Sequence, residues 1–261
     1  MEVMRGLVAL LLLAAVSGAG DKDEAQKEAS PGEIEIGDPG AAIEDTAVAK
    51  REIARFSEKM KAATDDAERV ALLTRLGGWD HALVFRAASK YVRHKREPVA
   101  IAAIIACARQ STSSSAGAFL FKAIAREKRE PVICALWVAT GRRGYDKTSA
   151  YNAAMKVLQN KKGEVLKAAT RYVGYIKAKK AFRVLAELLK EPSRSLPPGP
   201  SGEVRVMPAS YWQAIYDSWS ANLPHVRWAL SQLVPGETFE TKDEAREWAE
   251  REGRKHGIRW K

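Results

Sequence analysis

Cysteine, histidine and long apolar stretches are all scarce in this chain. Two cysteines and four histidines occur in 261 residues. A disulfide scaffold is excluded at that cysteine content. His81, His94, His225 and His256 have no second His, Cys or carboxylate at zinc-site spacing. No G-x-S-x-G elbow, phosphate-binding Walker loop or dinucleotide glycine pattern occurs. Ser111 to Ser115 is a serine-rich run with no His or acid tied to it, and it reads as a flexible connection. Nothing in the sequence points to an enzyme, a metal or a cofactor. An unbroken apolar run spans Gly6 to Val16. It is too short to cross a bilayer, which takes about 20 residues.

That run follows Arg5 and precedes Ser17-Gly18-Ala19-Gly20, after which the chain turns polar at Asp21-Lys22-Asp23-Glu24. This is the layout of an export signal cleaved near Ala19 or Gly20. The expectation is a periplasmic or extracellular chain with no integral membrane segment after cleavage. Residues 21–46 hold nine acids, two bases and few large apolar groups. They read as an acidic, flexible leader, because such a composition buries too little to offset its ordering entropy.

Beyond the leader the balance reverses. The whole chain has 43 Lys+Arg and 32 Asp+Glu, a net charge of +11. The excess of base therefore sits in residues 47–261. A body of that sign favours polyanions or acidic proteins as partners. Solubility alone accounts for it equally well.

A basic pair recurs every 33 residues: Lys95-Arg96, Lys128-Arg129 and Lys161-Lys162. Arg96-Glu97-Pro98-Val99 returns as Arg129-Glu130-Pro131-Val132 and weakens to Lys162-Gly163-Glu164-Val165. A fixed period of that length signals stacked repeats. From about residue 47 the pattern is helical. The pairs are 47–61 with 66–76, 80–95 with 98–109, 116–129 with 131–141, and 148–161 with 164–176, with 178–190 awaiting a later partner. Asp80 is the expected N-cap of its helix, and Gly77-Gly78 and Gly141 are expected helix ends.

Each second helix carries one apolar stripe: Val99, Ala102, Ala103 and Ala106, then Val132, Ala135, Leu136 and Ala139, then Val165, Ala168, Ala169 and Tyr172. The repeat phase offsets Cys107 from Cys134 by six residues. With helices 8–10 Å apart, that puts their Cα atoms roughly 12–13 Å apart, too far for a disulfide. Two buried free thiols are expected.

These short paired helices, whose second member opens on Val99, Val132 or Val165 followed by small residues, resemble the HEAT-like repeat superfamily. Ala100, Ile133 and Leu166 stand where that family carries an Arg; Val226-Arg227 has it. The resemblance covers roughly 47–190, within a repeat region taken as 47–192. It implies an all-α, right-handed α-solenoid of stacked helix pairs, and a non-enzymatic scaffold that binds another macromolecule.

A Pro/Gly-rich loop interrupts at 193–209. Residues 210–261 then bring Trp212, Trp219, Trp228, Trp248 and Trp260. Trp212, Tyr216 and Trp219 share a helical face and read as the core of a Trp-rich helical cap. Leu223-Pro224 is the expected start of a further helix. Thr241 and Glu244 form a capping box for the last one. This tail resembles the closing segment of bacterial exported HEAT-repeat proteins.

Two sets of bases are candidate binding residues. Lys95, Arg96, Lys128, Arg129, Lys161 and Lys162 would form a ridge at the helix joints. Arg109, Arg142, Arg143, Lys167 and Arg171 lie off the apolar stripes and would form a basic wall along the second helices. The expected partner is a protein or an acidic polymer of the cell envelope. The alternative is polyanion binding as the function itself: a wall polymer, a lipid surface or nucleic acid.

Overall fold

The computed structural model describes residues 34, 36–160, 163–193 and 207–260. The fold is all-α. Eleven α-helices are present among the described residues: α1 Thr46–Ala62, α2 Asp66–Leu76, α3 Ala82–Ser89, α4 Glu97–Ala108, α5 Ala116–Ile124 and α6 Glu130–Arg142. There follow α7 Thr148–Asn160, α8 Gly163–Tyr175, α9 Phe182–Glu187, α10 Ala209–Leu233 and α11 Lys242–Arg251. Two short strands, β1 Ala41–Ala42 and β2 Trp79–Asp80, pair in parallel.

Local chemistry explains the boundaries. Asp45 caps α1 by accepting from Ala47 N at 2.7 Å, and Asp65 caps α2 by accepting from Glu68 N at 2.7 Å. Pro98 and Pro131 lie in the first turns of α4 and α6, where a missing N–H breaks no helical bond. The Thr241–Glu244 capping box opens α11.

Helices α3 and α5 stop earlier than the apolar pattern suggests. Their chains continue as single turns, with Tyr91 N donating to Ala88 O, and Arg126 N to Ala123 O. The tighter turns let the backbone reverse before the next helix begins. His81, not Asp80, caps α3: its Nδ1 accepts from Leu83 N at 3.1 Å. Pro224 does not start a helix; it lies inside α10. It is exposed there, so the carbonyl it leaves unpaired can be hydrated.

The even-numbered helices touch in chain order: α2 packs on α4, α4 on α6, α6 on α8 and α8 on α10. Each odd-numbered helix up to α9 packs against the even one that follows it. Helices α4 and α6 are buried nearly all round, as helices with neighbours on three sides must be. Both cysteines lie there, buried and free. Burial pushes both thiols well above their ordinary range, which makes them inert.

The helices approach closely at their C-terminal ends. Gly141, one residue before the end of α6, is also a contact point: a Cβ there would sit 2.8 Å from Tyr172 Cα of α8. One period on, a Cβ at Gly174 of α8 would sit 3.1 Å from Ala229 Cα of α10. Tyr172 is fully buried beside Trp137, with ring centroids 5.1 Å apart, and its hydroxyl donates to Tyr145 O at 2.8 Å.

The aromatic core near the C-terminus is Phe182, Phe239 and Trp248, each pair of rings 5.6 Å apart. The expected core of Trp212, Tyr216 and Trp219 is not formed. No residue of 209–221 is buried, and Tyr216 is 45% exposed. Trp219 instead uses its indole N–H, donating to Leu188 O at 3.1 Å.

Candidate functional site

The joint pairs have structural partners. Arg129 Nη1 donates to the carbonyl oxygens of His94 and Lys95, at 2.9 and 3.1 Å, reaching back to the preceding joint. Its Nε and Nη2 donate to the two oxygens of Glu127 at 3.0 and 2.7 Å. That bidentate pair holds the Glu127 carboxyl down to about 2. Arg96 lies 3.5 Å from Asp66, also in the preceding repeat. Lys95 and Lys128 are exposed. Lys161 and Lys162 lie outside the described residues.

The second set of bases divides. Lys167 pairs with Glu164 on its own helix at 2.8 Å. Arg143 Nη2 donates to Ser111 O and Ser113 O, both at 3.2 Å. The serine run is therefore tied down rather than free. Asp80 completes the tie: it accepts from the hydroxyls of Ser111 and Thr112 and from Thr112 N at 3.1 Å. Burial works to raise the Asp80 carboxyl, but these hydrogen bonds outweigh it and hold it below the usual range.

Arg109, Arg142 and Arg171 are brought together by a segment that the composition did not nominate. Residues 34–43 cross the C-terminal ends of the even helices. Arg171 of α8 donates to Ile34 O at 3.4 Å, and Ile36 is 6% exposed. Asp38 lies 3.8 Å from Arg142, the last residue of α6. Arg109, the C-cap of α4, donates through Nε to Asp38 O at 2.8 Å, and its own carbonyl accepts from Gly40 N at 3.4 Å. Ala41 N then donates to Gly78 O at 2.8 Å, and Ile43 N to Asp80 O at 3.2 Å. This segment is a strap, and the expectation of a flexible leader through residue 46 does not hold for it.

The strap's geometry follows from its length. Seven steps from Ile34 to Ala41 reach at most about 25 Å, and three helix spacings of 8–10 Å need nearly all of it. The strap must therefore be extended. Arginine suits the edge on electrostatic grounds, since the C-terminal ends of helices carry partial negative charge. Gly40 lets the strap reach β2: a Cβ there would sit 2.7 Å from the Trp79 carbonyl carbon.

A cavity of about 480 Å³ lies between the end of α9, α10 and the start of α11, lined by Trp219, Leu223, Arg227 and Lys242. Two of its cations are paired, Arg227 with Glu240 at 2.5 Å and Lys242 with Glu187 at 2.8 Å. Among the described residues no cluster of three His, Cys, Asp or Glu is placed to hold a metal, and no helix is long and apolar enough to cross a membrane. Comparison with protein-family models finds no match, and none is found among curated proteins.

Proposed function

We propose that the protein is an exported, non-enzymatic scaffold of the HEAT-like α-solenoid kind, which recognises another protein as an extended segment laid along one edge of its helix stack. The contact order of the even helices supports the solenoid. The observation that carries the binding reading is the arginine row: one arginine each from α4, α6 and α8 engages the same extended chain. Main-chain hydrogen bonds and a buried apolar side chain are the means by which repeat surfaces and sheet edges hold peptides.

Polyanion binding by the joint ridge has less support, because Arg129 and Arg96 are turned to the preceding repeat. Crosslinked capture from an envelope fraction separates the two readings. Partner recovery should fall in a variant with Arg109, Arg142 and Arg171 all changed to Ala. It should persist when exposed Lys95 and Lys128 become Glu. Recovery should also survive raised salt, whereas a polyanion complex weakens steeply. Recovery lost only in the lysine variant would favour the polyanion reading instead.

A further inference from the structure

We infer that the edge is a docking groove for an acidic extended segment of a partner protein, and that residues 34–43 occupy it in cis as a built-in competitor. This rests on the edge-binding reading above. The groove has three features, and the strap displays each. It takes apolar side chains, with Ile34 partly buried and Ile36 buried against the same core. It takes a carboxylate two residues later, at Asp38 beside Arg142. It takes a narrow backbone at Gly40, where β2 and the end of α2 leave no room for a Cβ.

The contributions are unequal. Burying an isoleucine side chain contributes the larger share, since it removes a full apolar side chain from water. The Asp38–Arg142 pair is open to water, with Asp38 96% exposed. Exposed pairs of that kind contribute little, because water screens them. The fit is therefore to an apolar anchor with acid beside it, not to charge alone. That distinguishes the partner from a wall polymer or a lipid surface.

A segment joined to the body has a local concentration on the order of 1 mM. Against a free peptide of about 10 μM affinity, such a competitor weakens apparent binding by about 100-fold. A strap of that affinity keeps weaker ligands out, and a partner gains access by outcompeting it or by removing it.

The test uses the full chain and a labelled synthetic peptide of residues 30–45. Two variants free the groove by different means: Gly40→Val, through its clash with the backbone of 77–79, and Ile36→Glu, through loss of the anchor. Two are needed in case one fails to fold, which circular dichroism reports. Either folded variant should bind the peptide at least 10-fold more tightly than the unaltered chain. A peptide carrying Ile36→Glu should not bind, while one carrying Asp38→Asn should lose less than about fivefold. Equal binding by the variants and the unaltered chain would leave the edge as a docking site but overturn the cis competition. No binding by either folded variant would overturn the docking reading as well. Binding of the Ile36→Glu peptide as tightly as its parent would overturn the apolar anchor.

Discussion

Arg129 donates through Nη1 to the carbonyl oxygen of His94 at 2.9 Å, from one repeat into the turn of the repeat before it. The pair Lys128-Arg129 is thereby a staple at its second position and an exposed lysine at its first. The period of 33 records how one helix pair is fixed to the next.

Changing Arg129 to Ala should cost about 2–3 kcal/mol, since hydrogen bonds to charged groups contribute about 1.5–3 kcal/mol and several are lost together. Lys128→Ala, at an exposed position, should stay within about 0.5 kcal/mol. Urea unfolding of the two variants checks the contrast. Equal effects would remove the staple.

The Glu127 carboxyl has a pKa of about 2 in the fold, below its usual range. The unfolded chain then binds the proton more readily, so the stability it supplies is complete above about pH 4.5 and falls away as pH drops toward 2. Asp80, also held low, acts in the same direction. Glu127→Gln should flatten the acid limb of a stability–pH curve. An unchanged limb would show that the pair contributes nothing to acid sensitivity.

Asp80 is 3% exposed and organises the start of the 111–115 connection. Asp80→Ala removes the acceptor shared by the Ser111 and Thr112 donors, at about 0.5–1.5 kcal/mol per bond. Hydrogen exchange across 111–115 should accelerate. Exchange unaffected by the substitution would show that Arg143 alone holds the loop.

Gly141→Ala should lower stability by about 1–3 kcal/mol through overpacking against Tyr172. In a chain of this size that is a loss of several degrees in Tm. Gly144, with nothing within 4 Å of a Cβ, has a φ of +62°. There an alanine is disfavoured by backbone conformation instead. Thermal melts of the two variants separate packing from conformation.

Much of the helix order was legible because a 3.6-residue period and a 33-residue repeat act together. Pro98 and Pro131 marked the starts of α4 and α6, and the expected 66–76 is Asp66–Leu76. The strap was missed because composition was averaged over 21–46. Its signal was local: Ile34 and Ile36 alternate with Glu33 and Glu35, a period-two pattern inside an acidic stretch. The partners of Arg109, Arg142 and Arg171 were not legible, because they lie up to 137 positions away along the chain. Nor was the role of Asp80, which looked like a cap and serves instead as an acceptor for Ser111 and Thr112.

The most direct test of the account is amide hydrogen exchange over residues 36–43, in the unaltered chain and in the Arg109→Ala, Arg142→Ala, Arg171→Ala variant. The account predicts protection at Ala41 and Ile43, whose amides donate to Gly78 O and Asp80 O. It also predicts that the variant loses protection at Gly40, whose amide donates to Arg109 O, while α4 and α6 keep theirs. Exchange at free-peptide rates in the unaltered chain, or protection that survives removal of all three arginines, would contradict it.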